Sequence, residues 1–257
     1  MHTDVLLEFR NEVAWVTFSP EISGKPPTLD HQVLDELYHH IQTIKQNSSD
    51  LRAVVVRSNS PRYFLVGANI NALKTLDEQT IVHWIQHGHQ VFNELSGLPL
   101  PVIACIEGFA LGGGLELALA CDIILATESA RLGQPEASLG FVAGWGGSFR
   151  LPQRIGAGRA KILFFTGTII DARKAYEYGL VDDLVLDGNM ENSLDTLLQN
   201  TRQVSLHAVR LLKHLVDQNT DSSLSKNLVE ETSASVECIA SKDTRDRIER
   251  FLKNRQK

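Results

Sequence analysis

The sequence predicts an α/β fold in which buried parallel strands alternate with amphipathic helices, followed by a mostly helical C-terminal part. Three observations carry this prediction. The runs Arg52–Arg57 (RAVVVR), Pro101–Ile106 (PVIACI) and Asp122–Ala126 (DIILA) are apolar through their centres, as strands covered on both faces must be. Between the first two lies a segment whose apolar residues recur at helical spacing. From Gly158 onward the pattern is helical almost throughout.

In chain order, Val5–Phe9 and Val13–Phe18 are β-rich runs separated by Arg10–Asn11–Glu12, which predicts a hairpin. Pro20 to Pro27 is a loop, because Pro and Gly interrupt any period. Asp30 is placed to cap a helix reaching about Lys45, with Val33, Leu34, Leu37, Ile41 and Ile44 on one face. A strand at 52–57 follows, then a second amphipathic helix starting at Asp77 or Glu78 and ending near Ser96. Strands at 101–106 and 122–126 flank a glycine-rich turn and the apolar helical run Leu115–Ala120. The C-terminal part reads as helices over about 159–166, 171–178, 190–202, 205–218, 222–240 and 243–254. The simplest division is a core over 1–188 and a helical region over 189–257, with the boundary near Leu186–Asn189. No fixed-period repeat or low-complexity tract interrupts this order.

A chain of 257 residues with 43% hydrophobic and 22% charged residues is long and apolar enough to bury a core. A net charge of −6 supplies no electrostatic attraction for nucleic acid or an anionic membrane, so neither is expected as a partner. Met1–Arg10 carries acidic residues and no apolar stretch of the signal-peptide kind. No run approaches the roughly 20 apolar residues needed to span a bilayer. Cys105, Cys121 and Cys238 are odd in number and lack CxxC spacing; the first two sit in apolar runs and read as small core residues. A reducing, cytoplasmic location is the expectation.

The chemistry is concentrated in Pro101–Arg150. Gly108, Gly112, Gly113 and Gly114 join a buried strand to a helix, leaving backbone N–H groups unshielded at a helix N-terminus. Such a turn suits a phosphate or a developing oxyanion. The Walker pattern fails because no Gly-Lys-Ser/Thr follows, and GFALGGG does not supply GxGxxG, so the nucleotide reading is weak. Glu116 stands among Leu115, Leu117, Ala118, Leu119 and Ala120, one turn past Gly113. A carboxylate there is either satisfied by an Arg or by backbone donors, or it is a functional group of raised pKa. Glu136 follows Pro135 at the start of a short helix, where it reads as a capping carboxylate or as the second member of an acid–base pair. Asp122, at a strand edge, reads as structural. His83 and His87 are four apart on a helix with His89 beside them, but no third ligand at a convincing spacing accompanies them, so no metal site is expected. Ser148 lies outside any GxSxG elbow.

These residues resemble the crotonase (enoyl-CoA hydratase/isomerase) superfamily. Its block GxALGGGxELALACD appears as GFALGGGLELALACD at Gly108–Asp122, and its FGQPE as Leu132–Glu136 with Leu in place of Phe. GWGGSFRL at Gly144–Leu151, FLVGANI at Phe64–Ile70 and the stretch Thr166–Val185 match further family motifs, so the resemblance covers nearly the whole chain. It implies a spiral of ββα units, C-terminal helices that mediate trimerisation (usually as a dimer of trimers), and a coenzyme A thioester ligand. It implies an oxyanion hole from the backbone N–H groups of Ala68 and Gly113, with Glu116 helping to deprotonate water and Glu136 exchanging the proton at the α carbon. It further implies that Val66, Gly67, Asn69, Ile70, Gly112, Gly144 and Trp145 surround the substrate, and that Phe251 and Lys253 approach the adenosine phosphate of a coenzyme, in this or a neighbouring subunit. Read from the residues alone, Trp145 is equally a packing aromatic and the basic run Arg245–Lys257 a solvated helix face.

The implied activity is enoyl-CoA hydration without metal or redox cofactor, coenzyme A being part of the substrate. A Δ3,Δ2-enoyl-CoA isomerase and a non-catalytic thioester-binding protein are the competing readings; retention of both glutamates favours hydration. The sequence departs from the family pattern at Asn69 (usually Asp), at Val66 and Trp145 (usually small residues), and across Ser23–Asp30, which lacks the NALN-like segment. These departures bear on which acyl group is accepted.

Overall fold

The computed structural model describes residues 2–218 and 224–255. In chain order its elements are β1 (Thr3–Arg10), β2 (Val13–Pro20), α1 (His31–Gln46), β3 (Ala53–Ser58), β4 (Tyr63–Leu65), α2 (Ile70–Leu73), α3 (Thr80–Ser96), β5 (Val102–Ile106) and β6 (Phe109–Leu111). Then come α4 (Gly113–Leu119), β7 (Ile123–Thr127), β8 (Arg131–Gly133), α5 (Gly147–Ile155), α6 (Ala157–Thr166), β9 (Ile169–Asp171), α7 (Ala172–Tyr178) and β10 (Asp183–Val185). Four helices close the chain: α8 (Met190–Gln203), α9 (Leu206–Gln218), α10 (Leu224–Ala240) and α11 (Lys242–Arg255).

The larger sheet has the order β1-β2-β3-β5-β7-β10, parallel throughout except for the β1/β2 hairpin. Asn11 and Glu12 take φ of 52° and 61°, the left-handed conformation that a two-residue hairpin turn favours, so the turn is tighter than the three residues the sequence suggested. Its inner strands β2, β3, β5 and β7 read as apolar runs because both faces are covered. Ala14, Val16, Phe18, Val54, Val56, Val102, Ala104 and Ile106 enter the main core with α1 and α3, while Trp15, Val55, Ile103, Cys105 and Leu125 pack under Met190, Leu194 and Leu198 of α8.

A second sheet of three-residue strands, β4-β6-β8-β9, is absent from the sequence-based reading. Each of β4, β6 and β8 follows a strand of the larger sheet and precedes a helix, so β3-β4-α3, β5-β6-α4 and β7-β8-α5 are successive ββα turns of one spiral. Three residues are too few to display a period of two. The C-terminal ends of these short strands carry the loops that form the site.

Helix boundaries follow local chemistry. Asp30 caps α1 as expected, its Oδ1 accepting from Val33 N at 3.1 Å. Asp77 delays α3 until Thr80 by accepting from the N–H groups of Gln79 and Thr80. Helix α5 was hidden by its glycine-rich start and by Pro152 within it. Asp122 is structural, as read: its Oδ2 accepts from Val102 N and from Lys213 Nζ, both at 2.7 Å, which ties α9 to the core. Helix α10 packs against α9 and α11, and α9 and α10 expose Leu212, Val216, Leu228, Val229, Val236 and Ile239. Among the described residues no helix is long and apolar enough to cross a membrane.

Candidate active site

At the end of β6 the chain turns through Gly112, whose φ of 54° with ψ of −127° excludes an ordinary side chain, and enters α4 at Gly113. Against this turn runs the β4–α2 connection, bent at Gly67 (φ 87°). The two backbones are so close that a Cβ on Gly67 would stand 3.1 Å from Gly113 N and Leu111 O. The connection is held on its other side by Leu29, whose N–H donates to Gly67 O at 2.8 Å and whose carbonyl accepts from Asn69 N at 2.7 Å. These bonds bypass Ala68 N–H, and Gly113 N–H is one of the orphan donors that open a helix. Among the described residues neither donates to a backbone acceptor. Two adjacent backbone donors of this kind are suited to an oxygen on which negative charge develops.

Glu116 is the fourth residue of α4, only 2% exposed. Its Oε1 accepts from Trp145 N at 2.7 Å and Gly147 N at 2.8 Å. Burial pushes its pKa up to about 7; the nearby Glu136 charge adds to the rise, while the two amide donors and Arg150 oppose it. The loop that supplies the donors requires glycine. A Cβ on Gly147 would lie 2.9 Å from Glu116 Cγ and Oε1, and Gly146 has a φ of 101°. Arg150 secures the loop by donating to Trp145 O at 3.1 Å and Asn93 Oδ1 at 2.6 Å. Backbone donors therefore satisfy one oxygen of Glu116, and the same carboxyl group lines a pocket.

Glu136 begins a short 3₁₀ turn, Glu136–Leu139, whose N-cap position, Pro135, makes no side-chain capping bond. It is half-buried, and burial raises its pKa. The fully buried Gln134 orients it: in the amide orientation that satisfies both polar atoms, the Gln134 nitrogen donates to the two carboxylate oxygens at 2.7 and 3.0 Å. The capping alternative open at the sequence level thus gives way to a carboxylate turned toward the pocket.

The pocket encloses a cavity of about 110 Å³. It brings together Glu116, Glu136, Ala68, Gly113, Val66, Gly67, Ile70, Gly112, Gly144 and Trp145, all singled out from sequence. Asn69 is not on its wall; its Oδ1 caps α2 by accepting from Asn71 N at 3.0 Å. Sequence reasoning missed Leu73, Leu139, Phe141 and Val142, and the α3 face formed by Ile81, Trp84 and Ile85. The i, i+3, i+4 spacing of that face was a usable signal, but helical periodicity does not separate a pocket wall from a core-facing stripe. His83 and His89 are exposed, and His87 Nε2 lies 3.3 Å from Asp35 Oδ1. Lys253 is exposed on α11, and the side chain of Phe251 lies outside the described residues.

Comparison with known proteins identifies the family. The family model described as Enoyl-CoA hydratase/isomerase matches residues 8–257. A short-chain-enoyl-CoA hydratase from Clostridium acetobutylicum is 34% identical over 254 residues, covering 98% of this chain and 96% of its own. A crotonyl-CoA hydratase from Syntrophomonas wolfei is 32% identical over 203 residues, covering 79% of this chain and 78% of its own. The crystal structure of an enoyl-CoA hydratase from Bacillus anthracis superposes with a TM-score of 0.92 at 31% identity, covering 97% of this chain and 96% of that one.

Proposed function

Because the chain belongs to the enoyl-CoA hydratase/isomerase family and is an enzyme of that class, we propose that it adds water across the 2,3 double bond of an enoyl thioester of coenzyme A. The observation that carries the reading is the convergence of two carboxylates, Glu116 and Glu136, on one pocket that also receives Ala68 and Gly113.

The thioester oxygen sits between the N–H groups of Ala68 and Gly113. As water oxygen adds to C3, electron density moves onto the thioester oxygen, and each aligned donor stabilises the resulting enolate by roughly 3 kcal/mol. Glu116 takes the proton that leaves the water, and Glu136 delivers one to C2, so hydroxyl and hydrogen are added with no change of oxidation state. The chemistry needs one carboxylate ionised and the other protonated. Burial raises both groups and the Glu136 charge raises Glu116 further, so the pair retains a single proton near neutrality, and the working state is the tautomer in which that proton sits on Glu136 and Glu116 is ionised. Neither step calls for a metal or a redox cofactor, and coenzyme A enters as part of the substrate. Val66, Gly67, Ile70, Gly112, Gly144 and Trp145 form the surroundings of the reacting acyl group. The helical region 189–257 joins subunits into a trimer or a pair of trimers, a role supported by the apolar residues exposed on α9 and α10.

Crotonyl-CoA tests the proposal directly. Hydration removes the absorbance of the conjugated enoyl thioester, whereas an isomerase would create that absorbance from a 3-enoyl thioester. Tight thioester binding without turnover on either substrate would overturn the reading in favour of a binding protein.

A further inference from the structure

We propose that this site takes short, uncharged acyl chains, with Trp145 setting the length limit and the cation-free pocket wall excluding charge; the inference rests on the hydratase reading. The indole bridges α3 and α4. One edge packs on Gly113, where a Cβ would fall 2.6 Å from Cζ3, and the other on Gly88, where a Cβ would fall 2.2 Å from Cδ1 and Nε1. Its Nε1 donates to Trp84 O at 3.3 Å, and its ring lies 5.0 Å from that of Trp84 and 5.8 Å from that of Phe92. Only 3% of Trp145 is exposed, so the ring is held on every side.

Gly88 shows that the wedge is built in. It stands inside the 17-residue α3, where nothing in the helix itself calls for glycine, and the indole occupies the space its side chain would need. The α3 residues lining the pocket, Ile81, Trp84 and Ile85, all precede Gly88. The pocket wall therefore stops where the indole begins, and the fully buried Phe92 lies one turn further along the same helix, behind the ring. Removing the indole lengthens the pocket along α3 from Trp84 toward Phe92. Among the described residues no Lys, Arg or His lines the pocket, and its two ionisable groups are both carboxylates. An acyl chain ending in a carboxylate meets repulsion and finds no cation on the described pocket wall.

Initial rates with 2-enoyl thioesters of four to twelve carbons, for the wild type, Trp145→Ala and Trp145→Phe, test the proposal. The wild type should favour four carbons over ten by at least tenfold in kcat/KM. Each methylene newly buried in the enlarged pocket is worth about fourfold, so Trp145→Ala should shift the ten-to-four ratio upward by tenfold or more. Trp145→Phe should shift it in the same direction by a smaller factor. A wild type that hydrates none of the thioesters would sink the hydratase reading itself. A wild type that is active, with a folded Trp145→Ala of unchanged ratio, would sink the role of Trp145 alone. Should Trp145→Ala not fold, an unchanged ratio in Trp145→Phe decides the matter in the same way. For the charge requirement, an enoyl thioester carrying a terminal carboxylate should react at least 100-fold more slowly than its uncharged counterpart of equal length; equal rates would overturn it.

Discussion

Gly147 N–H donates to Glu116 Oε1 at 2.8 Å across 31 positions of sequence, and the glycine is there because a Cβ would press on the carboxylate it serves. The bond joins the two halves of the site, since α4 carries the carboxyl group and the start of α5 supplies the donor. It also fixes one oxygen of Glu116 without neutralising the group.

Removing either carboxyl should abolish most turnover. Glu116→Gln and Glu136→Gln should each lower kcat for crotonyl-CoA hydration by about 10²–10⁴-fold, the usual worth of a positioned acid or base. The double variant should be scarcely slower than the worse single one, because the two act as a unit. Steady-state kinetics with thioester affinity measured in parallel check this, and a single variant retaining full kcat would exclude that residue.

The pH profile follows from the shared proton. Burial raises Glu116 to about 7 and Glu136 above its ordinary value, so the singly protonated pair occupies a window bounded above at about 7. As pH rises past that limit the pair loses its last proton, and as pH falls into the carboxylate range it gains a second. A bell-shaped kcat/KM is therefore expected in the free enzyme, with the alkaline limb at about 7. A profile flat from pH 5 to 9 would contradict it.

Stability should carry the same signature. A folded-state pKa raised from 4.5 to about 7 means that the folded chain holds the proton more tightly than the unfolded one. That stabilisation is fully present below the unfolded value and is lost as pH climbs through the window up to about 7. Glu116→Gln has no charge to bury, so its melting temperature relative to wild type should be higher at pH 8 than at pH 5 by several degrees, corresponding to about 1–3 kcal/mol. Thermal melts at the two pH values suffice, and an equal difference at both would refute the shift.

Gly88→Ala should destabilise by about 1–3 kcal/mol despite alanine's better helix propensity, because its Cβ would collide with the indole of Trp145. Pairing it with Trp145→Phe should recover part of that loss. Denaturant unfolding of the four proteins closes the cycle, and strict additivity would show that the two residues do not meet.

Lys213 lies in α9, and its ammonium is mostly buried against Asp122 Oδ2 and Leu100 O. Lys213→Met leaves the Asp122 charge without its partner and should cost about 2 kcal/mol, less than the loss of a fully buried pair because Asp122 keeps some exposure. Crotonyl-CoA turnover should persist, since neither residue reaches the pocket. An unchanged melting temperature would show that the pair does not hold α9.

Much of this protein was legible in the sequence. The buried strands at 53–58, 102–106 and 123–127 declared themselves because both faces are covered, so apolar character alone marks them. Asp30, a lone capping residue before an amphipathic stripe, placed α1 to within a residue. Glu116 and the triple glycine stood out because a charge in an apolar helix and unshielded donors at its start are both anomalies that local rules detect. Local rules could not reach the second sheet, whose three-residue strands exist only through pairing with one another, nor α5, whose glycines look like a loop until Glu116 is set against them. The facing of Glu136 was equally out of reach, because a carboxylate at a helix start is an ordinary cap unless the fold brings Gly112 and Gln134 beside it. So did Gly88, a costly residue in a helix until Trp145 arrives from 57 positions away. Sequence alone determined which groups are chemically out of place, since that is a property of each residue and its neighbours. Only the tertiary structure decided what those groups face, since that depends on which distant backbones the spiral of ββα units brings into contact.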